Sequence, residues 1–239
     1  MATSSNKGVG RFQRNLIQIA GIKDAQEAAM LARLGVRYLG FPLRLPIHKE
    51  DLSEAEAASI IRSLPAKCHA VLITYLDDAH EIAEFCQQMG SGIVQLHGAV
   101  GTDQLQTLRC HAQNLRIIKS LVIRQDNLAE LVDLVCETTS FVDAFITDTF
   151  DPSTGAAGAT GKTHDWTISK KLVELSGRPV ILAGGLNPQN VREAILQVQP
   201  AGVDAHTGVE GPDGRKSRDL VSGFIAEAHE GFRNLSRGW

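Results

Sequence analysis

Two turns of small residues near the end of the chain have the composition of a phosphate-binding site. Residues 181–190 (ILAGGLNPQN) and residues 203–210 (VDAHTGVE) each lead from an apolar strand into such a turn. Backbone N–H groups in these turns and at helix N-termini bind phosphate, and (β/α)8 barrels use a pair of such turns after strands seven and eight. The chain is therefore expected to act on a small phosphorylated molecule. The predicted phosphate-binding residues are Gly184, Gly185, Thr207 and Gly208.

Asp148 is the carboxylate best suited to acid–base chemistry. It follows residues 145–147 (FIT), the end of a predicted buried strand. Loss of water raises the pKa of a carboxyl group and favours the protonated form that a general acid needs. The alternative for Asp148 is a loop carboxylate that caps a turn.

Other polar side chains fall where predicted strands end, the edge that carries the active site of a barrel. Lys119 follows two isoleucines, and a lysine there is a phosphate or carboxylate clamp, a Schiff-base nucleophile, or the structural partner of an acid. His97 and His206 could be metal ligands, but lone histidines at strand ends more often make hydrogen bonds, so no metal site is predicted. The remaining candidates are Gln18, Lys23, Arg44, His48, Thr74, Gln95 and Asp204.

The elements that must position these residues alternate along the chain. Short runs rich in Val and Ile, typical of buried parallel strands, occupy residues 16–20, 36–41, 69–74, 93–97, 116–119, 142–147, 179–183 and 202–205. Helical patterns lie between them, including 24–34, 54–63, 79–89, 126–137 and 188–198. Eight such repeats predict an α/β fold, a single-domain (β/α)8 TIM barrel, with an open doubly wound sheet as the alternative. The first strand is not followed by GxGxxG, which argues against a dinucleotide-binding fold.

Local signals refine two helix starts. Ser53 and Glu56 form a capping-box pattern at the second helix. Asn187 is predicted as the N-cap of the helix after the first glycine turn, with Pro188 as its first residue.

The amino-acid composition limits the classes of partner that the chain is expected to bind. The chain has 239 residues, 43% hydrophobic and 21% charged, with a formal net charge of −3. This balance gives no indication of nucleic acid or an anionic membrane as partner, and no apolar run approaches the ~20 residues of a membrane span. Four cysteines without paired spacing predict buried structural thiols and a reducing, cytoplasmic setting.

Domain boundaries follow from the same pattern. Residues 1–14 are polar and basic and are interpreted as a flexible tail, the alternative being a segment that caps the bottom of the barrel, with residues 15–239 forming the barrel. Residues 149–164, with three glycines, form a long irregular segment after strand six. Such a segment is usually a lid or substrate wall, the alternative being a surface insertion.

Taken in order, several segments make the chain resemble phosphoribosylanthranilate isomerase. They are QIAGI at 18–22, LGF at 39–41, VQLHG at 94–98, IIK at 117–119, TDT at 147–149, GATGKTHDW at 158–166, AGGLNPQNV at 183–191 and VDAHTGVE at 203–210. The resemblance runs from about residue 16 to residue 228.

This resemblance implies a (β/α)8 barrel that performs an Amadori rearrangement of a phosphoribosyl amine in tryptophan synthesis, without metal or cofactor. A general acid protonates the furanose ring oxygen, the ring opens to a Schiff base, and a general base removes the C2′ proton. The family's general acid falls on Asp148, and its phosphate-binding turns fall on 184–185 and 207–208. Members of this fold occur as monomers and dimers, so either a monomer or a homodimer is expected.

The residue that the family uses as general base is absent from this chain. The family's first strand reads KICGI with the cysteine as base, whereas this chain has Ala20 there, and a methyl group accepts no proton. The family's Ser-x-Arg after strand two is replaced by residues 41–50 (FPLRLPIHKE), in which Arg44 is a possible substitute. An anthranilate-like carboxylate would need Arg44, Lys23 or Lys49 as its cation. In the last strand, His206 and Thr207 replace small residues.

Three interpretations fit these departures. The chain is an isomerase inactivated by a Cys-to-Ala change, a natural paralog with another base, or a sugar-phosphate-binding protein without catalysis. The candidate bases are Lys23, His48, His97 and His206. A structural subunit, with an occluded barrel mouth and no phosphate binding, is a fourth class.

Overall fold

Eight parallel strands close into a barrel in the computed structural model, which describes residue 12 and residues 14–46, 50–151, 156–157 and 163–237. The barrel strands are β1 (Leu16–Ala20), β2 (Tyr38–Pro42), β3 (His69–Thr74), β4 (Ile93–Leu96), β5 (Arg116–Ile123), β6 (Ala144–Asp151), β8 (Val180–Leu182) and β9 (Gly202–Ala205). Within the described ranges, β7 (Ala156–Ala157) is a short strand antiparallel to the end of β6. Pairing of β5 with β6 and of β9 with β1 closes the ring, which confirms the predicted barrel and excludes the open sheet.

Helices connect the strands along the outside. They are α1 (Ala25–Arg33), α2 (Glu54–Ser63), α3 (Ala79–Met89), α4 (Thr102–His111), α5 (Leu128–Thr138), α6 (Trp166–Leu175), α7 (Val191–Val198) and α8 (Arg218–Arg237). Side-chain caps fix several starts: Asp24 accepts from the Glu27 N–H, and Ser53 and Glu56 form the predicted capping box. Such caps satisfy N–H groups that lack partners within the helix.

Alternation of side chains along the strands separates two apolar layers. Even-numbered β1 positions such as Leu16 and Ala20 join a cluster inside the barrel, while Ile17 and Ile19 pack in the layer between strands and helices. Because successive side chains point to opposite faces, this alternation decides which polar residues enter the barrel.

The closed end of the barrel is filled by Phe12. Its ring lies 6.2 Å from the Tyr38 ring, and the Arg116 guanidinium stacks 4.7 Å above it. Phe12 belongs to the segment 1–14 interpreted as a tail, so the barrel core includes at least one residue upstream of position 15. Residues 1–11 and 13 lie outside the described residues.

Several element boundaries differ from the prediction. β2 begins at Tyr38 rather than at 36, because the Val36 N–H is bonded to the Leu31 carbonyl in the turn after α1. β5 continues to Ile123, since its second half pairs with β6 up to Thr149.

The predicted start of α7 is wrong by one turn. Asn190 is the N-cap, and Val191 is the first helical residue. Asn187 instead begins a turn: its side chain accepts from the Gln189 N–H, and its carbonyl accepts from the N–H groups of Asn190 and Val191.

The prediction that the cysteines are buried is met only in part. All four cysteines are free thiols, Cys68 and Cys86 buried as predicted, but Cys110 and Cys136 are exposed on α4 and α5, so the prediction of buried thiols is wrong for them. None of the helices among the described residues has the length and apolarity to cross a bilayer.

Candidate active site

A chain of polar side chains crosses the barrel interior near the carboxyl ends of the strands. Gln18 on β1 donates from Nε2 to Gln95 Oε1 on β4 at 2.8 Å, and Gln95 Nε2 lies 2.7 Å from His97 Nε2. His97 Nδ1 is 3.5 Å from Asp148 Oδ2 on β6. All of these side chains point inward, because their odd or even neighbours on each strand belong to the outer apolar layer. The chain therefore joins β1, β4 and β6 across the barrel.

Hydrogen bonding fixes the protonation of His97. An amide N–H can only donate, so His97 Nε2 accepts from Gln95 and the ring proton sits on Nδ1, facing Asp148. Burial lowers the pKa of His97 to about 4, with the positive charge of Lys119 as the second cause. The imidazole is thus neutral at pH 7, and its contact with Asp148 is a polar contact rather than an ion pair.

Asp148 has the electrostatics of a general acid. Its pKa is raised to about 7, chiefly by burial; the Thr149 N–H, which donates to Oδ1 at 2.8 Å, acts to lower the pKa, and the Asp204 charge adds to the rise. A carboxyl group that titrates near neutral pH is partly protonated under working conditions, so it can donate a proton and take it back. Asp148 is buried on β6 with its side chain on the interior face, and its role as general acid stays a prediction.

Asp204 is a second buried acid on the opposite side. It pairs in register with Gln18, and burial raises its pKa to about 7 against the lowering effects of a Gln18 hydrogen bond and the Lys216 charge. The mouth therefore holds two carboxyl groups with raised pKa values, on β6 and on β9.

The two predicted phosphate turns adjoin each other. Gly184 (φ 103°) and Gly185 (φ 63°) adopt left-handed conformations that favour glycine. A Cβ at Gly208 would lie 1.9 Å from the Leu186 carbonyl oxygen, so the turn after β9 packs directly on the turn after β8. Backbone this close leaves no room for side chains and supports the predicted convergence of the two turns.

A hydrogen-bonded chain beside Gly184 was missed by sequence reasoning. Thr149 Oγ1 is 2.9 Å from His164 Nδ1, and His164 Nε2 is 2.6 Å from Ser169 Oγ on α6. Burial lowers the pKa of His164 to about 4, so the ring is neutral and bridges two hydroxyls. Together they fix the two ends of the segment 149–164. The lid predicted for that segment lies mostly outside the described residues.

Tyr75 is a second residue that the sequence analysis did not single out. Its ring stacks on His97 at 5.4 Å with an interplanar angle of 27°, and the Asp148 carboxylate is one cause of its raised pKa, after burial. Tyr75 follows β3 in a polar segment, and nothing in its local sequence marks it as part of the site.

Two predicted basic residues, Arg44 and Lys23, are paired with acidic side chains. The Arg44 Nε donates to Glu54 at 2.8 Å, and the guanidinium lies 4.1 Å above the buried Phe85 ring on α3, in the helix layer. Lys23 Nζ is 3.6 Å from Asp51.

Lys119 lies on the outer face of β5, between Ile117 and Leu121 of the helix-facing layer. Its Nζ donates to the Gly98 carbonyl at 2.8 Å. Burial lowers its pKa to about 8. Through this hydrogen bond, Lys119 stabilises the backbone of the loop after β4. His48 and Lys49 lie outside the described residues.

His206 lies beside β1. A Cβ at Gly21 would be 2.0 Å from His206 Nε2, so the ring occupies the space that a side chain would need. Nε2 is also 3.7 Å from Glu210 Oε1, and Lys216 Nζ contacts both Glu210 Oε1 (2.7 Å) and the His206 carbonyl (3.1 Å). Across the described ranges, no three His, Cys, Asp or Glu side chains converge as metal ligands would.

A closed parallel barrel with adjoining glycine turns after its last two strands and titratable groups at the same end defines a (β/α)8 enzyme of the phosphate-binding type. Comparison with known proteins gives the family. Residues 17–227 match the profile of N-(5'-phosphoribosyl)anthranilate (PRA) isomerase. The chain belongs to this family and is an aldose–ketose isomerase of its type, which confirms the resemblance noted in the sequence.

Relatives and solved structures agree with this assignment. The chain is 38% identical over 224 residues to N-(5'-phosphoribosyl)anthranilate isomerase 2 of Methanosarcina mazei, covering 92% of this chain and 98% of the relative. It is 34% identical to the isomerase of Haloferax volcanii, covering 89% and 92%. The Thermotoga maritima isomerase structure superposes with a TM-score of 0.76 at 26% identity, covering 90% and 99%.

Proposed function

We propose that this protein isomerises N-(5'-phosphoribosyl)anthranilate to the corresponding 1-amino-1-deoxyribulose 5-phosphate, a step of tryptophan synthesis. The single observation that carries the proposal is Asp148: a buried carboxyl group with a pKa near 7 on β6, one strand from β8 and its glycine turn, in a chain of this family. The Gly184–Gly185 and Thr207–Gly208 turns bind the phosphate, and the sugar then extends into the mouth.

In the proposed reaction, Asp148 donates its proton to the furanose ring oxygen. The C1′–O bond breaks as the amine lone pair forms a C1′=N double bond, which gives a ring-opened iminium ion. Asp148 has then become a carboxylate, and the neutral His97 N–H beside it stabilises that charge. Gln95 and Gln18 hold the His97 ring in the required orientation.

Several finer assignments complete the proposal. The enzyme works in a reducing cytoplasm, in keeping with four free cysteines. It uses neither metal nor cofactor, because proton transfers alone balance the isomerisation. It is a monomer or a homodimer; one solved relative from Thermotoga maritima is described as dimeric, with engineered monomers.

Direct turnover tests the proposal. Purified protein should consume N-(5'-phosphoribosyl)anthranilate, followed by loss of its fluorescence, and should yield the amino-ketose phosphate by mass spectrometry and NMR. Absence of turnover at high enzyme concentration would contradict it.

One observation favours a second candidate function, a sugar-phosphate-binding protein without catalysis. Ala20 faces the barrel interior where the resemblance implies the catalytic cysteine. That alternative predicts tight binding of reduced 1-(o-carboxyphenylamino)-1-deoxyribulose 5-phosphate, the compound bound in one solved isomerase, with no turnover of the substrate. Calorimetry with this analogue, run beside the turnover assay, separates the two functions.

A further inference from the structure

We propose that His206 is the general base of this isomerase, with its imidazole packed in the space that a side chain at position 21 would occupy. The inference rests on the proposed function and names the group that function still lacks.

Strand register places His206 at the right level of the barrel. β1 and β9 are parallel, with Gln18 opposite Asp204 and Ile19 opposite Ala205. β9 ends at Ala205, and His206 follows it as the first residue of the turn. Ala205 packs in the outer layer, so the alternation of β9 turns Asp204 toward the interior. The His206 ring lies against Gly21, the residue that follows Ala20, with Nε2 2.0 Å from where a Cβ on Gly21 would be. A proton acceptor therefore stands one residue beyond Ala20, at the carboxyl end of β1.

The surroundings of the ring suit a base that becomes charged. The His206 side chain is 25% exposed, so solvent and a ligand can reach the ring, whereas Asp204, two residues earlier, is buried. The Glu210 carboxylate, 3.7 Å from Nε2, stabilises the imidazolium that forms when the ring takes a proton. Lys216, whose side chain is fully buried, holds Glu210 and the His206 carbonyl in place.

The other candidate bases that the structure describes are less well placed. His97 has one ring nitrogen on Gln95 and the other facing Asp148, on the acid side of the barrel. Lys23 is ion-paired with Asp51. His206 alone among these three lies against β1.

The step that His206 performs follows ring opening. The imidazole takes the proton from C2′ of the iminium ion, the C2′–H electrons form a C1′=C2′ double bond, and the C1′=N electrons return to nitrogen. The resulting enol loses its O–H proton to the Asp148 carboxylate and gains a proton at C1′ from the imidazolium. Both side chains end in their starting states, and no oxidant or reductant is needed.

The test replaces His206 with glutamine, which keeps a polar side chain but cannot act as a base. For H206Q we expect kcat to fall ~10²–10⁴-fold, the usual cost of losing a general base. Affinity for reduced 1-(o-carboxyphenylamino)-1-deoxyribulose 5-phosphate should stay within about threefold, by calorimetry. A thiol introduced at the neighbouring position, in A20C/H206Q, should recover part of the lost kcat.

A matched glycine pair provides the second measurement. Gly21 (φ 78°) and Gly35 (φ 95°) share left-handed backbone, but a Cβ at Gly35 meets nothing within 4 Å, whereas one at Gly21 meets the His206 ring. G21A should therefore lower kcat at least tenfold more than G35A, although both carry the same backbone strain.

The outcomes separate the inference from the function on which it rests. Absence of turnover by the unaltered protein would contradict both the proposed function and the role of His206. Turnover that H206Q leaves unchanged overturns the base assignment and keeps the isomerase. A loss of analogue affinity with unchanged kcat would make His206 a phosphate contact instead. Loss of kcat in D204N but not in H206Q would move the base to Asp204.

Discussion

The two sides of the barrel mouth are built differently. On the β4–β6 side, Asp148, His97 and Gln95 form a closed set of contacts in which the hydrogen bonds define the tautomer of the ring. On the β9–β1 side, Ala20 has no functional group, and His206, Glu210 and Lys216 take up the polar space. The β4–β6 side keeps Asp148, where the resemblance implies the general acid, whereas the β9–β1 side lacks the implied cysteine and carries the residue that we propose as the base.

Asp204 connects the two sides. It hydrogen-bonds with Gln18, at one end of the chain that leads to Asp148, and its charge is a cause of the raised pKa of Asp148. A change on the β9 side therefore reaches the acid through electrostatics, without contact.

The largest expected effect is the loss of the acid. Asp148→Asn keeps the shape but removes the proton donor, so kcat should fall roughly 10²–10⁴-fold, while affinity for the reduced analogue stays within about tenfold. Steady-state kinetics and calorimetry measure both. The control is Asp133→Asn, the same change at an exposed position on α5. Unchanged turnover in Asp148→Asn would remove Asp148 from the mechanism.

The second-largest effect is expected from a substitution in the proposed phosphate-binding turns, which lie between the two sides of the mouth. A Cβ at Gly208 would collide with the Leu186 carbonyl, so Gly208→Ala must push the two turns apart. We expect affinity for the analogue to fall about tenfold or more, since misplaced N–H groups no longer converge on the phosphate. Gly177→Ala, whose Cβ would meet one atom at 3.7 Å, is the control. Equal affinities would show that the phosphate lies elsewhere.

The coupling through Asp204 predicts a smaller, pH-dependent effect. A general acid with a pKa near 7 acts in its protonated form, so kcat/KM should fall as the pH rises through about 7. Asp204→Asn removes a negative charge that raises this pKa, and the alkaline limb of the pH profile should then move to lower pH. A limb that stays in place would show that the two sides titrate independently.

The smallest effect is expected at Arg44. Its guanidinium is already used by Glu54 and Phe85 in the helix layer, so Arg44→Ala should leave the KM for N-(5'-phosphoribosyl)anthranilate within about twofold. Thermal unfolding should show a loss of roughly 1 kcal/mol, typical of a partly exposed ion pair with some packing. A large rise in KM would return Arg44 to the substrate site.

Local signals explain what the sequence could predict. The bounds of β1, β3, β9, α2 and α3 agree with the predicted 16–20, 69–74, 202–205, 54–63 and 79–89. Ser53 caps α2, Asp78 caps α3, and Gly90 ends α3 in a left-handed conformation, all within a few residues of the boundary. The position of Asp148 inside the mouth follows likewise from strand alternation.

Non-local packing explains the rest. The Tyr75–His97 stack and the Thr149–His164–Ser169 chain each join residues from different elements, and no spacing in the sequence brings them together. The pairing of Arg44 with Glu54 depends on the path of the loop after β2. The outward direction of Lys119 also depends on the fold, because two adjacent isoleucines precede it and only the structure shows that Ile118 faces the interior.

Phe12, which precedes β1 in the chain, packs as part of the apolar cluster inside the barrel. Its ring separates the Arg116 guanidinium from the apolar interior and seals the end opposite the mouth. A protein shortened to begin at Asn15 would lack the Phe12 ring, and Tyr38 and Leu16 would then be exposed to water at the closed end of the barrel. Any shortened version of this chain should therefore keep the residues before the first strand.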